Sequence, residues 1–190
     1  ISKNIIFLAD EKNKIILLDL NNGEKVDELY TQPAKMVSGF ESNLAFDKNN
    51  NLLFLSTNGS LYSLNLLENK IVNWFRNINY DSSVSFNSKP ITVYNNRILI
   101  TTEDHISLFT IDGQFVWSMK FKSSVKPIIS GNIAYAVSDN NFLVAFSVKD
   151  GSILFSKKIL PIINEKTDKN FSKKIKKINQ ILITNGKILL

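Results

Sequence analysis

The chain has no cysteine, a single histidine and only four prolines, and each shortage closes a line of chemistry. Without cysteine there is no disulfide, no thiolate zinc site and no cysteine nucleophile. That does not fix the compartment, because a sizeable β-domain can be stable without disulfides in either redox setting. No stretch reaches the roughly 18 to 20 uninterrupted apolar residues of a membrane-spanning helix, and the first residues lack the basic, apolar, small-residue order of a signal peptide. Glycine is scarce too, at 7 residues, so the positions it occupies carry information. The chain opens on Ile1 and stops inside the apolar run Lys187-Ile188-Leu189-Leu190, which reads as a segment of a longer protein whose earlier part could hold an export signal.

What is present favours β-structure. Hydrophobic residues make up 44% and aromatics 11%, the latter mainly 13 Phe and 5 Tyr. With abundant Ile, Leu and Val they suit pleated, half-buried surfaces. The net charge of +6 is local: residues 157–177 hold eight Lys against Glu165 and Asp168, and the rest of the chain is neutral. A phosphate-tracking surface would spread its bases over a face and interleave stacking aromatics, so no nucleic-acid partner is expected.

Four segments share one pattern. In the clearest, Asn132 to Ser138 reads as a strand, Asp139-Asn140-Asn141 as a turn and Phe142 to Val148 as a second strand. Lys149-Asp150-Gly151-Ser152 then turns into Ile153-Leu154-Phe155-Ser156. The same order recurs from Ile5, from Leu52 and from Arg97, and all but the first copy follow a further short strand at Leu44–Phe46, Ile91–Tyr94 or Ile128-Ile129. Each unit therefore has four strands. The marker residues Ile5, Leu52, Ile98, Ile133 and Ile188 are spaced 47, 46, 35 and 55 apart, scattering about the roughly 40 to 45 residues of a propeller blade. The expected fold is all-β: a β-propeller of four-stranded antiparallel blades, with about four blades present as part of a larger ring of seven or eight. The blade units fall at about 1–40, 41–80, 81–122 and 123–160, with a basic insertion at 157–179 and the start of a next blade at 180–190. Gly23, Gly113 and Gly151 stand in register where the third and fourth strands join, and the dipeptides there predict two-residue hairpin loops of positive φ. Asn69 takes that place in the second copy. The one helical stripe is Phe171, Ile175 and Ile178, which predicts a short basic helix between Asp168 and Asn179.

The units resemble the PQQ-type repeats of quinoprotein-like propellers, in which a strand reading Ala-Leu-Asp is followed by Thr-Gly-Lys and by a Trp four residues after the Gly. Here the outline is Leu18-Asp19-Leu20-Asn21-Asn22-Gly23, then Phe109-Thr110-Ile111-Asp112-Gly113 with Trp117, then Ala145 to Gly151 with Phe155. In the second copy Trp74 comes five residues after Asn69, one place late, and in the first Asp27 stands where the aromatic belongs. Trp74, Trp117 and Phe155, one per unit, are expected to pack between neighbouring blades. Within these propellers, the Lys89-Pro90-Ile91 and Lys126-Pro127-Ile128 strands resemble the blade starts of the BamB family of outer-membrane protein assembly factors. That resemblance implies a non-catalytic periplasmic lipoprotein scaffold that binds the outer-membrane assembly barrel and needs no cofactor. It makes Asp81, Ser85 and Asn87 partner-contact candidates, although the acidic loop of the family reads Ser85-Phe86-Asn87-Ser88 here.

Two rivals belong to other classes. A PQQ-dependent quinoprotein dehydrogenase would need a quinone sandwich, a calcium held by carboxylate and amide, and an Asp base; the vicinal disulfide such enzymes tend to use is ruled out. An intracellular propeller adaptor would be expected to end its repeats in Trp-Asp, a dipeptide the chain does not contain. His105, beside Glu103 and Asp104, reads as a solvated turn instead of a metal site, because adjacent strand residues point to opposite faces. The 157–177 stretch reads plainly as a solvated loop between blades. Its sharper reading, centred on Lys173, Lys174, Lys176 and Lys177, is a contact for an acidic partner or an anionic membrane surface.

Overall fold

The computed structural model describes residues 4–33, 43–66, 71–78, 86–166 and 177–190. It consists of antiparallel sheets built in chain order. The first has three strands, β1 (Ile5–Ala9), β2 (Lys14–Asp19) and β3 (Lys25–Tyr30). Three four-stranded sheets follow. They are β4 (Leu44–Phe46), β5 (Leu52–Leu55), β6 (Ser60–Asn65) and β7 (Ile71–Asn77); β8 (Thr92–Tyr94), β9 (Arg97–Thr101), β10 (His105–Thr110) and β11 (Phe115–Lys120); and β12 (Ile128–Ser130), β13 (Ile133–Val137), β14 (Phe142–Ser147) and β15 (Ile153–Lys158). A helix, α1 (Leu160–Lys166), and a two-stranded sheet, β16 (Leu182–Thr184) and β17 (Lys187–Leu189), complete the described chain. Each sheet runs in simple sequence order, and the first strands β4, β8, β12 and β16 neighbour one another. These are the blades of a β-propeller, arranged about the side on which their first strands lie.

The second and third strands of each blade are apolar on both faces, and successive side chains feed different cores. Leu52 and Phe54 pack with Ile15 and Leu17 of the first blade, whereas Leu53 and Leu55 pack with Ile98, Ile100 and Phe109 of the third. Leu99, Ile106 and Leu108 turn instead to Ala134, Val144 and Phe146 of the fourth. The core therefore lies between the blades, as a series of seams. Burying one such side chain stabilises by about 1.5–3 kcal/mol, so each seam is a substantial glue. The fourth strands are the outer rim: every residue of β15 and most of β7 are exposed.

Two expectations need correcting. The described helix is α1, which the sequence reading left out, whereas the one expected between Asp168 and Asn179 falls almost wholly outside the described residues. Residues 167–176 lie outside the described residues, and 177–179 have no helical structure. α1 forms where Leu160 and Ile163 pack against the cluster of Val125, Val137, Leu143, Ile159, Ile178 and Ile181. Ile163 N–H donates to the Ile159 carbonyl at 3.0 Å, while Pro161 sits in the first turn, where its missing N–H costs nothing. The second correction concerns the turns. The loops at 20–24, 111–114 and 148–152 are longer than two residues, and only their glycines take positive φ, at 72°, 76° and 76°. Their aspartate and asparagine neighbours stay at negative φ, and Asn22 and Asp150 instead accept backbone N–H groups, from Glu24 at 2.9 Å and from Ser152 at 3.1 Å.

Candidate functional site

Each complete hairpin of third and fourth strands carries a β-bulge at one place, between Leu17 and Leu18, Ser63 and Leu64, Leu108 and Phe109, and Ala145 and Phe146. The fourth-strand residue paired immediately before the bulge is Asp27, Trp74, Trp117 and Phe155 in turn. Trp74, one place late in the sequence, is in place in the register, and Asp27 truly occupies the aromatic position.

Two of these residues join consecutive blades. Trp74 reaches the third blade, where its Nε1 donates to the Ile111 carbonyl at 3.1 Å; a Cβ added at Gly113 would stand 2.7 Å from its ring. Trp117 repeats this on the fourth blade, donating to the Val148 carbonyl at 3.0 Å with its ring 2.9 Å from a Cβ added at Gly151. The glycine is needed twice over, by its left-handed φ and by the ring that covers it. Arg76 extends the first clamp, its Nε donating to the Gly113 carbonyl at 2.9 Å. Phe155 lies 44% exposed on β15, and a Cβ at Gly23 would meet nothing within 4 Å.

The seam between the first two blades is made differently. Asn13, 1% exposed and at φ 66°, accepts from Thr57 N–H at 2.7 Å and from its hydroxyl at 2.9 Å. Its amide donates to the Gln32 carbonyl at 3.1 Å. Beside it a cleft of about 650 Å³ opens between the fourth strands of the two blades, walled by Leu29, Tyr30, Tyr62, Leu64, Val72 and Phe75. Tyr62 stacks on Phe75 with centroids 6.0 Å apart and planes at 26°. At the rim, Glu28 accepts from Lys25 at 2.7 Å, from the Tyr30 hydroxyl and from Lys14 at 3.3 Å, and Lys14 lies over the Tyr30 ring at 5.7 Å. These donors, Lys25 foremost and then the Tyr30 hydroxyl, hold the Glu28 carboxyl down to about 2 against the opposing effect of desolvation.

Asn87 and Lys177 are exposed, on separate loops. Asp81, Ser85, Lys173, Lys174 and Lys176 lie outside the described residues, as do Glu68 and Asn69. His105 does meet Asp104: its Nδ1 is 2.8 Å from Oδ1, which lowers the Asp104 pKa. The opposite-face rule fails here because Asp104 precedes the strand, in a bend. Among the described residues no three His, Cys, Asp or Glu side chains are grouped to hold a metal ion, and no helix is long and apolar enough to cross a membrane. The site that sequence reasoning missed is the cleft. Its signal was Asp27 in an aromatic position, together with Tyr62 and Phe75 where the later repeats have no ring.

No protein-family model matches the chain, and no curated protein matches it. Solved structures do. BamB from Moraxella catarrhalis superposes with a TM-score of 0.62 at 17% identity, over 83% of this chain and 46% of its own. The computationally designed Ika8 protein superposes with a TM-score of 0.67 at 13% identity, over 99% of this chain and 52% of its own. The chain thus spans about half the length of these structures. At such identities the likeness is one of fold. Since 511 solved chains match, a designed one among them, the propeller alone carries no function.

Proposed function

We propose that this chain is a non-catalytic propeller scaffold that binds another protein, with a BamB-like role at the periplasmic face of outer-membrane protein assembly. The observation that carries the reading is the likeness to BamB over 83% of the chain, joined to the Lys-Pro-Ile blade starts and the recurring Trp and Gly positions of the repeats. A rigid stack of blades with variable loops suits such work, since binding groups can change on the loops without disturbing the seams. The partner in this reading is the periplasmic part of an outer-membrane assembly barrel, and the contact candidates are Asp81, Ser85 and Asn87 together with the basic residues Lys173, Lys174, Lys176 and Lys177, of which Asn87 and Lys177 are described and exposed. Clustered lysines there also favour an anionic membrane surface, by about 1 kcal/mol each.

Titration calorimetry of the chain against the soluble periplasmic domains of the barrel tests this. Binding is expected, and replacing the four lysines by Gln should weaken it by a factor that shrinks as salt shortens the Debye length below about 8 Å. The melting temperature of that variant should stay within a few degrees of the parent, because solvated charges usually contribute within about 0.5 kcal/mol. Absence of binding would overturn the reading. A quinoprotein role makes the contrary prediction: quinone with calcium at 100 times its Kd would add about 2.7 kcal/mol of stability. We expect no shift.

A further inference from the structure

We propose that the cleft between the first and second blades is the docking site for an aromatic side chain carried on an extended segment of the partner protein, an inference that rests on the protein-binding reading above. The repeat itself shows what such a seam accommodates. Trp74 and Trp117 each lie in the same cluster as the first residue beyond the bulge in the next blade, Phe109 and Phe146 respectively. In the first seam the corresponding pair is Asp27 and Leu64, and it is Leu64, with Leu29 two residues beyond Asp27, that lines the open cleft. A carboxylate stands where an indole fills the other two seams.

The opposite wall has changed in step. At the register positions of Tyr62 and Phe75, the third blade has Ser107 and Ser118, hydroxyls 2.8 Å apart, and the fourth has Val144 and Ser156. Only the second blade sets two rings there, and Phe75 is 52% exposed while Tyr30, on the facing strand, is 74% exposed. Aromatic surface is left in water on both sides of one cleft. Its volume of about 650 Å³ exceeds a single ring and falls in the range of sites that enclose a ligand, leaving room for the backbone that presents the ring. β3 and β7 are the terminal strands of their sheets, so an extended segment lying in the cleft meets a strand edge on which its own backbone can pair.

The test uses the full chain and two capped octapeptides of Ser and Thr, one with a central Trp and one with Ala in its place. Amide shifts in NMR report where they bind. The Trp peptide should perturb β3 and β7 and bind at least tenfold more tightly than its Ala twin. Phe75→Ser, at an exposed position, and Asp27→Trp, which supplies the ring from inside, should each weaken it at least tenfold, with unaltered spectra elsewhere as the check on folding. Equal binding of the two peptides, or shifts confined to other strands, would overturn the proposal. So would sedimentation showing self-association that Asp27→Trp abolishes, since a second copy would then be the occupant. If the peptides fail while the barrel domains still bind, this proposal falls alone. If the Trp peptide binds in the cleft and the barrel domains do not bind, the assembly role falls and the cleft stands.

Discussion

At the scale of single residues, three glycines of one sequence register differ in what surrounds them, and this separates two costs usually confounded. Gly23, Gly113 and Gly151 share a φ near 72–76°, so alanine strains the backbone at each by about 1–2 kcal/mol. At Gly113 the added methyl also meets the Trp74 ring at 2.7 Å, and forcing atoms into a packed site costs about 1–3 kcal/mol more. Urea denaturation should therefore find Gly113→Ala about 2–5 kcal/mol destabilising and Gly23→Ala about 1–2. In a Trp74→Ala background the Gly113→Ala penalty should fall to that of Gly23→Ala; an unchanged penalty would show that ring and glycine are not coupled. Charge supplies a second prediction. Glu28 is held from its ordinary 4.5 down to about 2, so its contribution is complete above 4.5 and is lost as pH falls through about 2. Melting curves between pH 5 and pH 2 should fall more steeply for the parent than for Glu28→Gln. The gap should narrow in high salt because the group is open to solvent. Parallel curves would rule the linkage out.

At the scale of elements, the strands were legible because their signals are local: period-2 or continuous apolar runs, bounded by Asn, Asp and Gly. β5, for example, is four buried residues in a row, Leu52–Leu55, between turns. The aromatic positions were legible as a recurrence, yet the register of Trp74 was not, because an extra residue in its turn shifts the count and only the bulge restores it. α1 was missed for a related reason. Its apolar residues Leu160 and Ile163, with Ile159 just before them, follow directly on β15, and the contacts that fix them come from Val137, Leu143 and Ile178, remote in sequence. The cleft is a property of two blades at once, so no single repeat displays it. What the sequence did offer was a departure from its own pattern at Asp27, and departures from a repeat mark the places where its packing must be made in some other way. The 7-residue helix depends on that packing, since so short a helix is unstable alone. Ile163→Ala should therefore remove α1 and its share of the helical circular dichroism while leaving the sheet signal, which limited proteolysis after Lys166 would report as new cleavage.

At the scale of the whole molecule, blades that contact only their neighbours behave as a one-dimensional array, whose stability is a sum of blade terms and seam terms. The seams here are unequal. The second and third are closed by Trp74, partly buried, and Trp117, buried, each through its packed ring and an indole hydrogen bond, whereas the first depends on the apolar cluster around Phe54 and on Asn13 reaching Thr57. A Trp side chain removed from a core costs about 3–5 kcal/mol, several times the roughly 1 kcal/mol net of one neutral hydrogen bond. Of these three seams the first is therefore the one that parts at lowest cost. Local opening then has a direction: β1–β3 should separate as a unit while the three blades beyond it remain packed. Native-state hydrogen exchange should find the amides of β2 opening together, at a free energy below that of β5, β9 and β13. Asn13→Ala should lower protection in β1–β3 alone, and Asp27→Trp should raise it toward that of the other blades. Equal opening free energies across all four blades, with both variants shifting every strand alike, would mean that the described blades unfold as one unit and that the missing ring has no energetic consequence.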